Sequence, residues 1–74
     1  MKIWYTSNNG WRIQEQEDMF SSDISWFSVY RFYPTEGWIP FKLVGHSLDE
    51  CFIWLWRMSF ISKDEMSHQL SKLV

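Results

Sequence analysis

Hydrophobic and polar positions alternate around Ile3, Trp4 and Tyr5, which predicts a strand over residues 2–6. Asn9-Gly10 follows, the strongest short-range hairpin signal, and residues 11–14 read as the return strand. The loop through Ser7-Asn8-Asn9-Gly10 has either two or four residues, so the register stays open. The alternation then stops. From Glu15 to Asp23 the acids Glu15, Glu17, Asp18 and Asp23 run with no Lys or Arg between them, around a small apolar anchor at Met19-Phe20. This stretch reads as an ordered loop, with one helical turn as the alternative. Residues 25–33 are the best strand candidate, rich in β-formers. A period of two sets Trp26, Ser28, Tyr30 and Phe32 on one face and Phe27, Val29, Arg31 and Tyr33 on the other.

Pro34-Thr35-Glu36-Gly37 has turn chemistry, with a fixed φ early and a residue tolerant of positive φ late. Residues 38–44 return as a strand, and Pro40, which cannot donate to a ladder, marks it as an edge or bulged strand. The period then changes to that of a helix. Ser47-Leu48-Asp49-Glu50 is a capping-box pattern that opens a helix over residues 48–60. Leu48, Phe52 and Leu55 make one stripe and Cys51, Trp54 and Met58 the adjoining one, so this helix needs cover on more than one side. Ser62-Lys63-Asp64-Glu65 repeats the cap and opens a second helix over 63–73, with Ile61 and Met66 placed to form a hydrophobic staple. The order predicts an α+β fold: a small antiparallel sheet of three to four strands, followed by two C-terminal helices packed on one face.

Size and composition narrow the class. The chain has 74 residues, 15 of them aromatic (6 Trp, 6 Phe and 3 Tyr), and a net charge of −2. That is one domain, spanning residues 1–74. Folding reduces its surface from about 13,000 Å² to about 4,900 Å², a thin margin that large rings help to widen. The single cysteine, Cys51, excludes an intrachain disulfide, and no apolar h-region follows Lys2; both favour a cytoplasmic location. The strongest apolar run, Cys51–Trp56, is interrupted by Arg57 and even when extended through Ile61 reaches 11 residues, short of the roughly 20 that a membrane span needs, so no membrane partner is expected. The near-neutral balance lacks the basic footprint of a duplex nucleic-acid binder.

Catalytic equipment is sparse. His46, Cys51 and His68 fit no zinc-ligand spacing, so no metal or other cofactor is expected. Cys51 lies in the first turn of a predicted helix, where the dipole lowers a thiol pKa, but Asp49 and Glu50 oppose that shift and the position belongs to an apolar stripe. A packed thiol is the plainer reading. Asp49 and Glu50 are accounted for by capping. Glu15, Glu17, Asp18 and Asp23 are by default a solvated run, and no phosphate-binding glycine motif is present. The expectation is a protein that is not an enzyme.

The aromatic surplus suggests binding. The row Trp26, Tyr30 and Phe32, with Trp38 in reach on the next strand, reads first as core beneath the helices. It is otherwise an exposed protein-binding patch, or a platform for unpaired bases with Arg12, Arg31 and Lys42 near it and Arg57 on the helix, although Arg31 points to the opposite face of a regular strand. Trp54 and Trp56 are about 200° apart around a helix and cannot both face one sheet. One of them meets the second helix, a target or a second copy in a homodimer. The function expected is therefore a non-catalytic protein-binding module, an inhibitor or modulator of a larger enzyme or nucleoprotein acting by steric occlusion. The alternative is a single-stranded nucleic-acid binder that uses its strand aromatics. The contact residues would be Glu15, Glu17, Asp18, Met19, Phe20 and Asp23 as an acidic rim with its anchor, and Trp26, Tyr30, Trp38 and Trp56 as the aromatic patch. In general style the chain resembles small accessory or inhibitory proteins of phages and bacteria.

Overall fold

The computed structural model describes residues 2–17 and 25–73. Four strands, β1 (Ile3–Tyr5), β2 (Trp11–Glu17), β3 (Ser25–Tyr33) and β4 (Gly37–Gly45), precede two helices, α1 (Leu48–Arg57) and α2 (Lys63–Ser71). The strands form one antiparallel sheet in the order β1-β2-β3-β4, and the fold is α+β. The molecule measures 35 × 34 × 18 Å. Eighteen ångströms accommodates a sheet and one layer of helix, so the sheet is covered on one face. Among the described residues no helix is long and apolar enough to cross a membrane.

Local chemistry explains the turns. The first hairpin closes with a four-residue loop, Ser7–Gly10: Thr6 N–H donates to the carbonyl of Trp11 at 3.0 Å, and Tyr5 pairs with Arg12. Asn8 Oδ1 accepts from the Thr6 hydroxyl at 2.8 Å and from Gly10 N–H at 2.9 Å, while Asn9 takes the left-handed conformation that Asn tolerates (φ 56°). The β3–β4 turn has Glu36 N–H donating to the Tyr33 carbonyl at 3.1 Å and Gly37 at φ 80°, a type I turn followed by a left-handed residue. β4 is an edge strand, as Pro40 requires, and it is also bulged: the register with β3 shifts twice, at Val29/Tyr30 and at Phe27/Ser28.

Four expectations need correction. The acidic stretch does not begin as a loop, because β2 continues through Glu15 and Glu17, which pair with Phe27 and Ser25. The first helix stops at Arg57 rather than residue 60. Ser59 turns left-handed (φ 63°), and its N–H bonds to the Trp56 carbonyl while Phe60 N–H bonds to that of Leu55, both at 2.9 Å. This is a Schellman end with Ser in the usual glycine position. The Ser47 box does not close. The Ser47 hydroxyl bonds the Asp49 carboxylate, which lowers that carboxyl's pKa, while Glu50 accepts from His46 N–H at 3.3 Å. The last correction concerns which face of β3 is core.

The core is Trp11, Ile13, Phe27, Val29, Cys51, Phe52, Leu55, Ile61 and Met66, with Trp4 and Trp54 packed against it. The helices therefore lie on the Phe27/Val29 face of β3. The staple residues Ile61 and Met66 both enter the core. Ser62 caps α2 by accepting from Glu65 N–H at 3.1 Å. The Glu65 carboxylate does not turn back to the cap. It accepts from Ser7 N–H and from Gln69 Nε2, both at 2.8 Å, so α2 is tied to the β1–β2 loop. Burial pushes the Glu65 pKa up, but the bonds from Gln69 and Ser7 outweigh it and the net shift is down.

Candidate functional site

Alternation on three strands and pairing between them decide what the uncovered face displays. Register places Tyr5 beside Arg12, Arg12 beside Tyr30, and Phe32 beside Trp38. Their rings meet: Tyr5 and Trp38 have centroids 5.5 Å apart, and Phe32 and Trp38 5.3 Å. The Arg12 guanidinium sits over Tyr30 at 4.5 Å and over Trp38 at 5.1 Å. Its Nε is buried and has no hydrogen-bond partner. Gln16 Nε2 donates to the Tyr30 hydroxyl oxygen at 3.0 Å. Towards the end of β3 nearest α1, Trp26 lies against the His46 ring at 3.8 Å, and His46 Nδ1 is 3.2 Å from the Ser25 carbonyl oxygen. Ile3, Tyr5, Phe32 and Leu43 are 43–51% exposed on this side. The aromatic row of β3 is thus not core beneath the helices; its period-two neighbours Phe27 and Val29 are.

Of the residues expected at a binding site, Trp26, Tyr30 and Trp38 share this face. Trp56 is exposed on α1, away from them. Glu15 pairs with Phe27, on the helix side of the sheet. The Glu17 side chain and Asp18, Met19, Phe20 and Asp23 lie outside the described residues. Tyr5 is the member that sequence reasoning misses; Phe32 stands in the predicted aromatic row and Arg12 among the cations near it, though neither is among the expected contact residues. A parity argument finds Tyr5. A two-residue or a four-residue loop changes the pairing by two positions, and both set Tyr5 on the face of Arg12 and Gln14.

The helix side carries its own rings. Trp11 stacks on Phe60 at 4.8 Å, and Phe41 meets both edge-on at 5.4 and 5.6 Å. Arg31 lies over Trp11 at 4.7 Å and Lys42 over Trp54 at 5.7 Å. Two of the cations considered for a base-stacking platform are therefore on the wrong side of the sheet. An open groove of about 480 Å³ between α1 and α2 is lined by Leu48, Asp49, Ile53, Leu70 and Leu73.

The other chemical candidates are quickly placed. Cys51 is fully buried, its thiol 3.9 Å from the Phe27 carbonyl oxygen. Burial, reinforced by Glu50 and Asp49, pushes its pKa up to about 12, so it carries no thiolate at neutral pH. His46 and His68 are exposed, His46 ahead of α1 and His68 on α2. Among the described residues no group of three His, Cys, Asp or Glu side chains could hold a metal ion.

Fold and site together define a class: an α+β protein with one face of a four-stranded antiparallel meander beneath helices and an aromatic surface on the other. Comparison with protein-family models, curated proteins and solved structures finds no match to this chain.

Proposed function

We propose that this chain is a non-catalytic protein-binding module that uses the uncovered sheet face to occlude a surface of a larger enzyme or nucleoprotein, as an inhibitor or modulator. The observation that carries this reading is the display of Tyr5, Trp26, Tyr30, Phe32 and Trp38 on the face away from the helices. Trp and Tyr are the residue types that dominate binding energy at protein interfaces, and a flat sheet presents them without the cost of ordering a loop. A sheet face four strands wide is about 19 Å across, enough for the centre of a standard interface.

The reading of the face as a single-stranded nucleic-acid platform has the stacked rings and Arg12 in its favour. Against it, Arg31 and Lys42 lie over helix-side rings, leaving no positive track for a backbone that repeats its charge at every nucleotide.

The two readings separate by salt and substitution. Protein capture from a lysate of the source cells should survive an increase from 0.1 to 0.5 M salt, because buried apolar contact is not screened. The pair Phe32→Ser and Trp38→Ser should abolish capture without loss of the far-UV circular dichroism of the fold. Capture unaffected by that pair would refute the proposed face.

A further inference from the structure

We infer that the uncovered face recognises a carboxylate set among apolar side chains of a partner polypeptide, with Arg12 as its receptor. This rests on the reading of that face as a protein-binding surface. Arg12 occupies the middle of the aromatic field, between Tyr30 and Trp38, and pairs across the sheet with Tyr5 on one side and Tyr30 on the other. Rings over the flat faces of a guanidinium leave its edge to hydrogen-bond, and that edge matches the two oxygens of a carboxylate. Among the described residues this face holds Arg12 as its cation and no acid: Glu15 pairs with Phe27 on the helix side, and Glu36 lies in the β3–β4 turn. The Arg12 Nε is buried without a hydrogen-bond partner, so that donor is not satisfied within the sheet. A partner carboxylate that arrives with apolar neighbours supplies the missing countercharge and closes the rings from water, which strengthens the pair.

Charge also selects against other occupants. A second copy docked face to face about a twofold axis over the sheet centre would set Arg12 against Arg12, a like-charge contact. A nucleic-acid strand would find one cation where its backbone needs a series.

The test uses the 74-residue chain as bait for random dodecapeptides displayed on phage, followed by titration of the enriched peptides in solution. The expected outcome is an enriched motif of Asp or Glu flanked by aliphatic or aromatic residues. Replacing that acid by its amide in the synthetic peptide should weaken binding about tenfold to a hundredfold, the scale of a charge-assisted hydrogen-bond pair. Arg12→Gln in the chain should weaken the acidic peptide by about as much and the amide peptide by clearly less. The amide peptide keeps the test decisive even where a substitution at Arg12 disturbs folding. Enriched peptides with no acid, or equal binding of acid and amide forms, overturn the inference while leaving the protein-binding face in place, provided Trp38→Ser still abolishes binding. Peptides indifferent to Trp38→Ser, or no enriched peptide at all, overturn the face and the inference together. Saturable binding of a dodecathymidylate that Arg12→Gln abolishes, or a dimer in sedimentation that Phe32→Ser dissolves, also overturns the inference by giving the face another occupant.

Discussion

Two aromatic clusters lie back to back on one sheet. On the helix side Trp11, Phe41, Trp54 and Phe60 surround one another, with Arg31 and Lys42 over their rings. On the other side Tyr5 and Phe32 pack against Trp38, and Arg12 lies over Trp38 and Tyr30. Residue types and ring distances are alike, yet Trp11 is 3% exposed and Phe32 44%. The difference lies in what stands above them. The Schellman end of α1 turns Phe60 down onto Trp11, and the β4 bulge sets Phe41 beside it, so Trp11 at the centre of that cluster is closed by the chain itself, while Phe41 at its rim stays 45% exposed. No described element lies over the second cluster. Ring content therefore does not separate a core from a binding surface; the cover over the rings does.

The sharpest way to break this comparison is to weaken one side at a time. Phe52→Ala, on the buried face of α1 and 1% exposed, should lower the unfolding free energy by about 3–5 kcal/mol in urea titration. Phe32→Ser should cost under about 1 kcal/mol. Equal losses would mean that the uncovered rings are structural after all.

A second effect, also confined to the helix side, is read by pH. The Cys51 thiol has its pKa raised from 9.0 to about 12 by burial. The folded state therefore keeps a proton that the unfolded chain releases, and stability present below pH 9 is lost as pH rises from 9 towards 12. The slope contributed by this group approaches about 1.4 kcal/mol per pH unit. Cys51→Ala should remove that increment from the alkaline denaturation curve, and an unchanged slope would place the thiol in water. Native Cys51 should also resist a thiol reagent at pH 8 that labels it promptly in urea.

Smaller still is the contrast between the two helix starts. Ser62→Ala should cost about 1 kcal/mol because the hydroxyl caps Glu65 N–H. Ser47→Ala should cost a few tenths, since its hydroxyl serves Asp49 instead of the backbone. Thermal melts of the two variants check the order. The smallest effect expected is at Leu43, 51% exposed on the uncovered face: Leu43→Thr should shift stability by no more than about 0.5 kcal/mol. A larger loss would show that side to be better packed than its exposure indicates.

Much of this architecture is legible in the residues. The strands at Ile3–Tyr5 and Ser25–Tyr33, the turn at Pro34–Gly37 and the Ser62 cap follow from alternation and local side-chain chemistry, which act over a few positions. Three of the candidate contact residues, Trp26, Tyr30 and Trp38, do share one surface, because alternation on β3 and the turn length fix their parity. Other features were hidden because two local options were equally good. Ser47-Leu48-Asp49-Glu50 could close a box, but Glu50 found His46 N–H and Ser47 found Asp49. The Glu65 carboxylate could return to its own cap, but Ser7, 58 positions earlier, lies within 2.8 Å of it. Glu15 and Glu17 have poor strand propensity, yet pairing with Phe27 and Ser25 carries β2 through them.

What the sequence determined by itself is the pair of faces: Trp26, Tyr30 and Phe32 on one, Phe27 and Val29 on the other. Alternation is a local property and cannot rank two faces that are both apolar. The tertiary structure decided which face is covered. The smaller Phe27/Val29 face admits Cys51, Phe52 and Leu55 of α1 to close contact, and the bulged edge of β4 brings Phe41 and Lys42 round to the same side. The contacts of α1 with β3 join residues more than 20 positions apart. They leave the β3 rings of Trp26, Tyr30 and Phe32, with Arg12 beside them, on the side that the helices do not reach.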